Sequence, residues 1–205
     1  MSRNIQLLST NHLINLIFPI TSINIISKYH TGEKFVNSFF HNSVYIGGVN
    51  SGVSNSASFW RNSTTGNVQV VNNLFHNYRS GTGSHYAIVN LTGTSWSTTA
   101  SDYNNLSTSN TSTLGMWPFW PLNSDKSFAA WKIISGGDMQ SINTPVVFVN
   151  NENDLHLTYD NCDHVNRGVP SSITTDIDGE ARNLTTPDIG ADELISAGIF
   201  YFADS

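Results

Sequence analysis

The stretch Asn67-Val68-Gln69-Val70-Val71-Asn72-Asn73-Leu74-Phe75-His76-Asn77-Tyr78-Arg79 decides how this chain is read. A β-branched run is followed by an Asn pair, two apolar residues and another Asn. A Gly/Ser/Thr break over Gly81–Ser84 then leads into a new β run, His85-Tyr86-Ala87-Ile88-Val89-Asn90. A related pattern stands thirty-five residues earlier, where Phe39-Phe40-His41-Asn42-Ser43 matches Leu74-Phe75-His76-Asn77-Tyr78. Very short strands, punctuated by Asn and Gly and repeated, are what a coiled β-solenoid needs. A coil of about 20–25 residues holds two or three such strands, and its backbone pairs with the coils above and below. Inward positions stack Val, Ile, Leu and Phe, while Asn at each bend can bond to Asn of the next coil. One coil cannot bury its own apolar side, so several must stack and the ends need caps. The spacing exceeds one coil, and the surplus is assigned to a loop over 47–66. An antiparallel β-sandwich is the competing architecture.

The composition favours strands. Hydrophobic residues make up 39% of the 205 positions and charged residues only 12%, against about a quarter in an average domain. Asn, Ser and Thr together occupy 71 positions, so surface polarity comes from neutral hydrogen-bonding groups. Soluble helices lean on Glu and Lys instead. Asn and Gly also tolerate left-handed backbone angles, which suits a chain that turns often. The length predicts one domain with a sizeable core.

A net charge of −6 with nine Lys and Arg argues against nucleic-acid binding, which needs a basic stripe to displace counterions. Cys162 is alone, so no intrachain disulfide framework exists. The apolar-rich stretch 5–26 is interrupted by Asn11, His12, Asn15, Pro19 and Asn24, and no run reaches the roughly 18–20 apolar residues of a membrane span. A signal peptide would want a basic start, a clean apolar core and a small-residue cleavage site. Arg3 is the only early positive charge, so this stretch reads as strand-forming sequence from inside a larger solenoid, with Met1 starting a fragment.

Strands are expected around 13–18, 23–26, 35–46, 68–75, 86–91, 145–150 and 155–157. Ser101-Asp102-Tyr103-Asn104-Asn105-Leu106 reads as another corner. Met116-Trp117-Pro118-Phe119-Trp120-Pro121 carries two prolines, which are expected to forbid a central strand or a helix interior. The one helix expected runs over 125–135, capped by Ser124 or Asp125. Its apolar stripe is Phe128, Ala129, Trp131 and Ile134, and Gly136-Gly137 stops it.

The chain resembles the carboxy-terminal part of bacterial secreted and cell-surface proteins with a right-handed parallel β-helix, the pectate-lyase-like architecture. The resemblance rests on the two Asn-rich coil segments, on Pro145–Asn150 with Asp154-Leu155-His156-Leu157 as a late coil, and on a terminal signature. That signature is Asp176-Ile177-Asp178-Gly179-Glu180-Ala181-Arg182 through Asp188-Ile189-Gly190-Ala191-Asp192-Glu193. Residues 1–34 match poorly and form an amino-terminal coil or cap. Residues 35–193 form the β-helix domain, with an insertion at about 107–140 carrying the short helix, and 194–205 are an extension. The 160–167 stretch departs from the pattern. The resemblance implies an all-β, right-handed parallel β-helix, a secreted or cell-surface address, and a non-catalytic scaffold or adhesin role with a polysaccharide or cell-surface glycan as partner. A polysaccharide lyase or hydrolase of the same architecture is the alternative.

Each candidate site competes with a plainer reading. Six of the 15 acidic residues fall between Asp176 and Glu193. Asp176, Asp178 and Glu180 around Gly179 offer alternating hard oxygens and a turn, the elements of a calcium loop. The alternative is that these carboxylates shape turns and that Arg182 pairs with one of them. Trp117, Phe119 and Trp120, joined by Arg79 and His85, could present aromatic faces and polar groups to a sugar. Otherwise this loop and the Trp131 helix fold down over one side of the solenoid. A uronate lyase needs a cationic base beside a metal held by carboxylates. Arg79, His76, His85 and Tyr86 could line such a face, yet no acidic residue lies between Glu33 and Asp102. His41 and His76 occupy matching positions and would stack. Cys162, Asp163 and His164 are sequence neighbours, which rarely make a catalytic pair. Flat Thr rows for ice binding lack a regular Thr-x-Thr repeat.

Overall fold

The computed structural model describes residues 4–7, 15–16, 22–25, 36–50, 52–61, 67–91, 96, 100–119, 122–160 and 163–194. The chain is mostly β with one helix. Its first strands are β1 (Asn4–Leu7), β2 (Asn15–Leu16) and β3 (Ser22–Ile25). There follow β4 (Val36–Phe40), β5 (Ser43–Ile46), β6 (Val49–Asn50) and β7 (Ser56–Arg61). The same order then recurs as β8 (Asn67–Val71), β9 (Leu74–Asn77), β10 (Ser80–Gly81) and β11 (His85–Asn90). After β12 (Ser101–Asp102) and β13 (Asn105–Thr108) come β14 (Gly115–Phe119), β15 (Leu122–Lys126), the helix α1 (Phe128–Ser135), β16 (Phe148–Asn150) and β17 (Asp154–Leu157).

Strands pair with their counterparts in the next segment, and they run parallel. β4 pairs with β8 and β8 with β12. β2, β5, β9 and β13 form a second parallel series, and β1, β3, β7, β11 and β14 a third. The parallel series do not fit the antiparallel sandwich. From β4 and β5 onward the first two series keep a register of thirty-one residues, as in Phe39↔Val70, Ser43↔Leu74 and Leu74↔Asn105, whereas β7 and β11 pair at twenty-nine, as in Ser56↔His85. This corrects both the expected coil length and the expected match. Tyr45, not His41, lies opposite His76, so the two histidines do not stack.

The register is set at the corners. His41, Asn72 and Tyr103 adopt left-handed angles (φ 54, 60 and 55), which break the expected 68–75 strand into β8 and β9. Each is followed by an Asn whose carboxamide bridges to the next segment. Asn42 Nδ2 donates to Asn73 Oδ1 at 2.7 Å, and Asn73 Nδ2 to Asn104 Oδ1 at 2.9 Å. Asn104 Nδ2 in turn donates to Asp138 Oδ1 at 3.0 Å. Asp138 is fully buried and also accepts from the Ser101 and Ser141 hydroxyls and from Trp131 Nε1. The column thus ends on a carboxylate whose oxygens are satisfied by donors, as burial requires.

One apolar cluster lies between the three parallel series. Val44, Ile46, Phe75 and Leu106 come from one, Phe59, Ala87 and Ile88 from another, and Val70 from the third. Trp96, Leu114, Trp117 and Trp131 extend the same cluster. The helix supplies Trp131 and starts three residues later than expected, capped by Ser127 and closed by left-handed Gly136. Residues 122–126 are drawn instead into β15, which pairs antiparallel with β14. Ala129 is exposed and Trp131 is not. The Trp131 ring sits so close to Gly115 that an added Cβ would meet its Cε3 at 2.6 Å. Pro118 does stand in an interior strand, but beyond the last β14 residue paired with β11.

The expected late coil is a hairpin. β16 and β17 pair antiparallel with each other. Leu155 and Leu157 face inward, packed with Leu74, Phe148 and Ile189 in a second apolar cluster. No helix among the described residues is long and apolar enough to cross a membrane.

Candidate functional site

The terminal segment docks on the corner residues. Asn72 donates from Nδ2 to the Val169 carbonyl at 2.7 Å and accepts the Val169 N–H at 3.0 Å. Its own carbonyl accepts the Gly190 N–H, and Ser43 Oγ accepts the Ala191 N–H, both at 2.9 Å. Gly190 has φ 113, and a Cβ there would meet Leu74 Cδ1 at 2.6 Å. Glycine is required by both angle and space.

Most of the terminal carboxylates are bound to backbone N–H groups. Asp176 Oδ1 accepts from Asp178 and Glu180, and its Oδ2 from Glu193. Asp188 accepts from Asn166 and Leu194, and burial holds its carboxyl up at about 6. Glu193 receives Asn183 and Asp188 N–H groups and lies 3.1 Å from Arg182 Nη1, both side chains buried. Arg182 Nη2 donates to the Gly190 and Ala191 carbonyls. Among the expected calcium ligands, Asp176 is therefore occupied by the turn, and Glu180 points into solvent. The Arg182 pairing is the alternative weighed for this motif.

Asp178 goes elsewhere. Alternation along β17 leaves Asp154 and His156 half-buried on one side. His156 Nδ1 meets Asp154 Oδ1, and its Nε2 lies 2.8 Å from Asp178 Oδ2. The bond to Asp154 holds the imidazole pKa above its ordinary value. Asp192 is anchored alongside, its Oδ2 accepting the Leu157 N–H at 2.7 Å. His156, Asp178 and Asp192 each offer one ligand-capable atom, all within 4.8 Å of one another. Sequence reasoning missed this group. The i, i+2 spacing of Asp154 and His156 is the one local signal, and nothing local joins that strand face to residues 178 and 192.

Of the expected sugar-binding residues, Trp117, Arg79 and His85 have described side chains. Trp117 is buried, its ring 5.7 Å from Trp131, which is the covering role. Phe119 closes β14, and Trp120 falls outside the described residues. His85 and Arg79 do lie close together. His85 Nδ1 is 2.9 Å from Ser56 Oγ, which accepts from Asn77 Nδ2. Ser56 Oγ, with one proton and two lone pairs, can serve either tautomer of the ring. Burial, and then the Arg79 charge, lower the His85 pKa. Ser56 is fully buried, so this pair cannot reach a substrate as a nucleophile and base.

His76 and Tyr86 are not brought onto one sheet. His76 lies on β9, stacked on Tyr78 at 5.8 Å and edge-on to Phe148 at 6.2 Å, whereas Tyr86 lies on β11 in another sheet with Ala57, Val89 and Met116. His41 bonds to Ser171 and Asn72. His164 turns inward to Asn105 and Thr144, and Cys162 falls outside the described residues. No protein-family model, curated protein or solved structure matches the chain.

Proposed function

We propose that the three parallel series are the faces of a right-handed parallel β-helix, and that this segment serves as a non-catalytic scaffold or adhesin at the cell exterior. The thirty-one-residue parallel register carried by Asn42, Asn73 and Asn104 is the observation behind this reading. Connections between parallel strands of one sheet are right-handed in the great majority of folds, which supports the hand. A surface rich in neutral Asn, Ser and Thr suits a solvated scaffold. The buried state of Ser56 and of Trp117 favours a structural role over a catalytic one. Glycans remain the partner class that the neutral polar surface suits best.

Two experiments test this. Cysteines placed at Ser38 and Gln69, which are register partners, should cross-link on oxidation in a Cys162→Ser background, because neighbouring strands lie about 4.8 Å apart. Failure to cross-link would count against the stacked register. Incubation with polygalacturonate should yield no ultraviolet-absorbing unsaturated uronate, while a glycan array reports binding. Accumulation of that product would replace the scaffold reading with the lyase.

A further inference from the structure

We propose that His156, Asp178 and Asp192 form a binding site for a divalent transition-metal ion of the zinc class, which ties the terminal segment to the β16–β17 hairpin. The inference does not depend on the scaffold reading. The three residues come from separate parts of the chain: β17, the turn around Gly179, and the stretch after Gly190. Their ligand atoms fall within 4.8 Å of one another. Zinc bonds of about 2.0–2.2 Å in a tetrahedron put ligand atoms roughly 3.4 Å apart. His156 Nε2 and Asp178 Oδ2, at 2.8 Å, are closer than this, so small side-chain rotations bring the set to bonding geometry.

The surroundings are those of an oriented site. Asp154 holds His156 Nδ1 and leaves Nε2 turned towards the two carboxylates, the carboxylate–histidine arrangement that fixes ring orientation at metal sites. Asp192 is steadied by the Leu157 N–H and Asp178 by its own N–H on Asp176. Three carboxylates meet at a single imidazole. Asp154, Asp178 and Asp192 converge here, while Arg182 is committed to Glu193 and two carbonyls.

The ligand set selects the ion. Calcium takes six to eight oxygen ligands, whereas one imidazole and two carboxylates suit zinc and its neighbours. Three protein ligands leave a fourth position to water. His156 and Asp178 are 35% and 52% exposed at their side chains, so that position opens to solvent.

The test is titration calorimetry of the full chain, stripped with chelator, against zinc, manganese and calcium chlorides, with melting curves in parallel. Zinc should bind one-to-one and raise the melting temperature. His156→Gln and Asp192→Asn should each weaken binding by about 100-fold or more, and Asp154→Asn by about 10–100-fold. Unchanged circular dichroism of His156→Gln guards against misfolding, and cobalt substitution gives an absorption band that vanishes in that variant. Zinc affinity unaffected by His156→Gln, no zinc binding by the unmodified chain, or calcium binding in preference to zinc would each overturn the proposal.

Discussion

Asn42 Nδ2 lies 2.7 Å from Asn73 Oδ1, and the same oxygen accepts the Asn42 backbone N–H at 3.0 Å. Asn73 also donates to the Phe39 and Val71 carbonyls and to Asn104. Removing its side chain strands several buried polar groups at once, each at about 1–3 kcal/mol before relaxation. Asn73→Ala should lose roughly 3–5 kcal/mol of stability in chemical denaturation. The exposed Asn151→Ala should change it by less than about 0.5 kcal/mol. Equal effects from the two would show that the column contributes nothing.

Gly190 joins the terminal segment to the stack. Alanine there must hold φ 113 and force its methyl against Leu74. Gly190→Ala should cost roughly 2–5 kcal/mol and expose the 163–194 stretch to limited proteolysis. Wild-type protease resistance in this variant would contradict the close approach.

The Arg182–Glu193 pair is buried, and breaking it from one side leaves the other charge uncompensated. Arg182→Met and Glu193→Gln should each cost about 3–5 kcal/mol. The double variant should lose less than the sum, because it buries no lone charge. A double-mutant cycle showing strict additivity would mean the two groups do not sense each other.

Acid should destabilise the protein through its buried imidazoles. Burial, then the Arg182 charge, lowers His41 to about 3. Burial, then His164, lowers His76 to about 3. Between pH 6.5 and pH 3 the unfolded chain takes up protons that the folded chain does not, so stability is present above 6.5 and falls as pH drops through this window. At about 1.4 kcal/mol per unit, the pair costs several kcal/mol by pH 4. Asp188, held up at about 6, works in the opposite sense between about 6 and 3.8 and offsets part of the loss. Melting temperatures should decline from pH 6.5 to pH 4, and His76→Gln should flatten the decline. A slope unchanged in that variant would remove His76 from the account.

Trp117 separates the covering role from the sugar platform. Trp117→Ala removes a ring packed on Trp131 and should cost about 3–5 kcal/mol, with any signal on a glycan array retained by the folded fraction. Loss of glycan binding at unchanged stability would restore the platform.

Local chemistry was readable from the residues alone. Runs of β-branched residues broken by Asn and Gly implied short strands and frequent corners, but the corners at His41 and Asn72 cut the stretches 35–46 and 68–75 that were expected to run on as strands. Ser-Asp-Tyr-Asn at 101–104 was legible as a corner: a left-handed residue followed by a carboxamide is a local event. Gly136 marked the helix end, because left-handed closure needs only its neighbours.

Register and site were another matter. Pattern matching aligned Phe39 with Leu74, whereas hydrogen bonding pairs Phe39 with Val70. Strand pairing is decided by the summed fit of whole segments and by the asparagine column, and a four-residue slip leaves the local pattern almost unaltered. The β16–β17 hairpin looked like one more coil because isolated strands carry no sign of their direction. Asp178 belonged by sequence with Asp176 and Glu180, yet it faces His156 because the terminal segment folds back across β17. Composition and short-range pattern determined that strands are short and corners frequent. Only the tertiary structure decided which side chains converge, since convergence depends on long-range packing that no window of sequence contains.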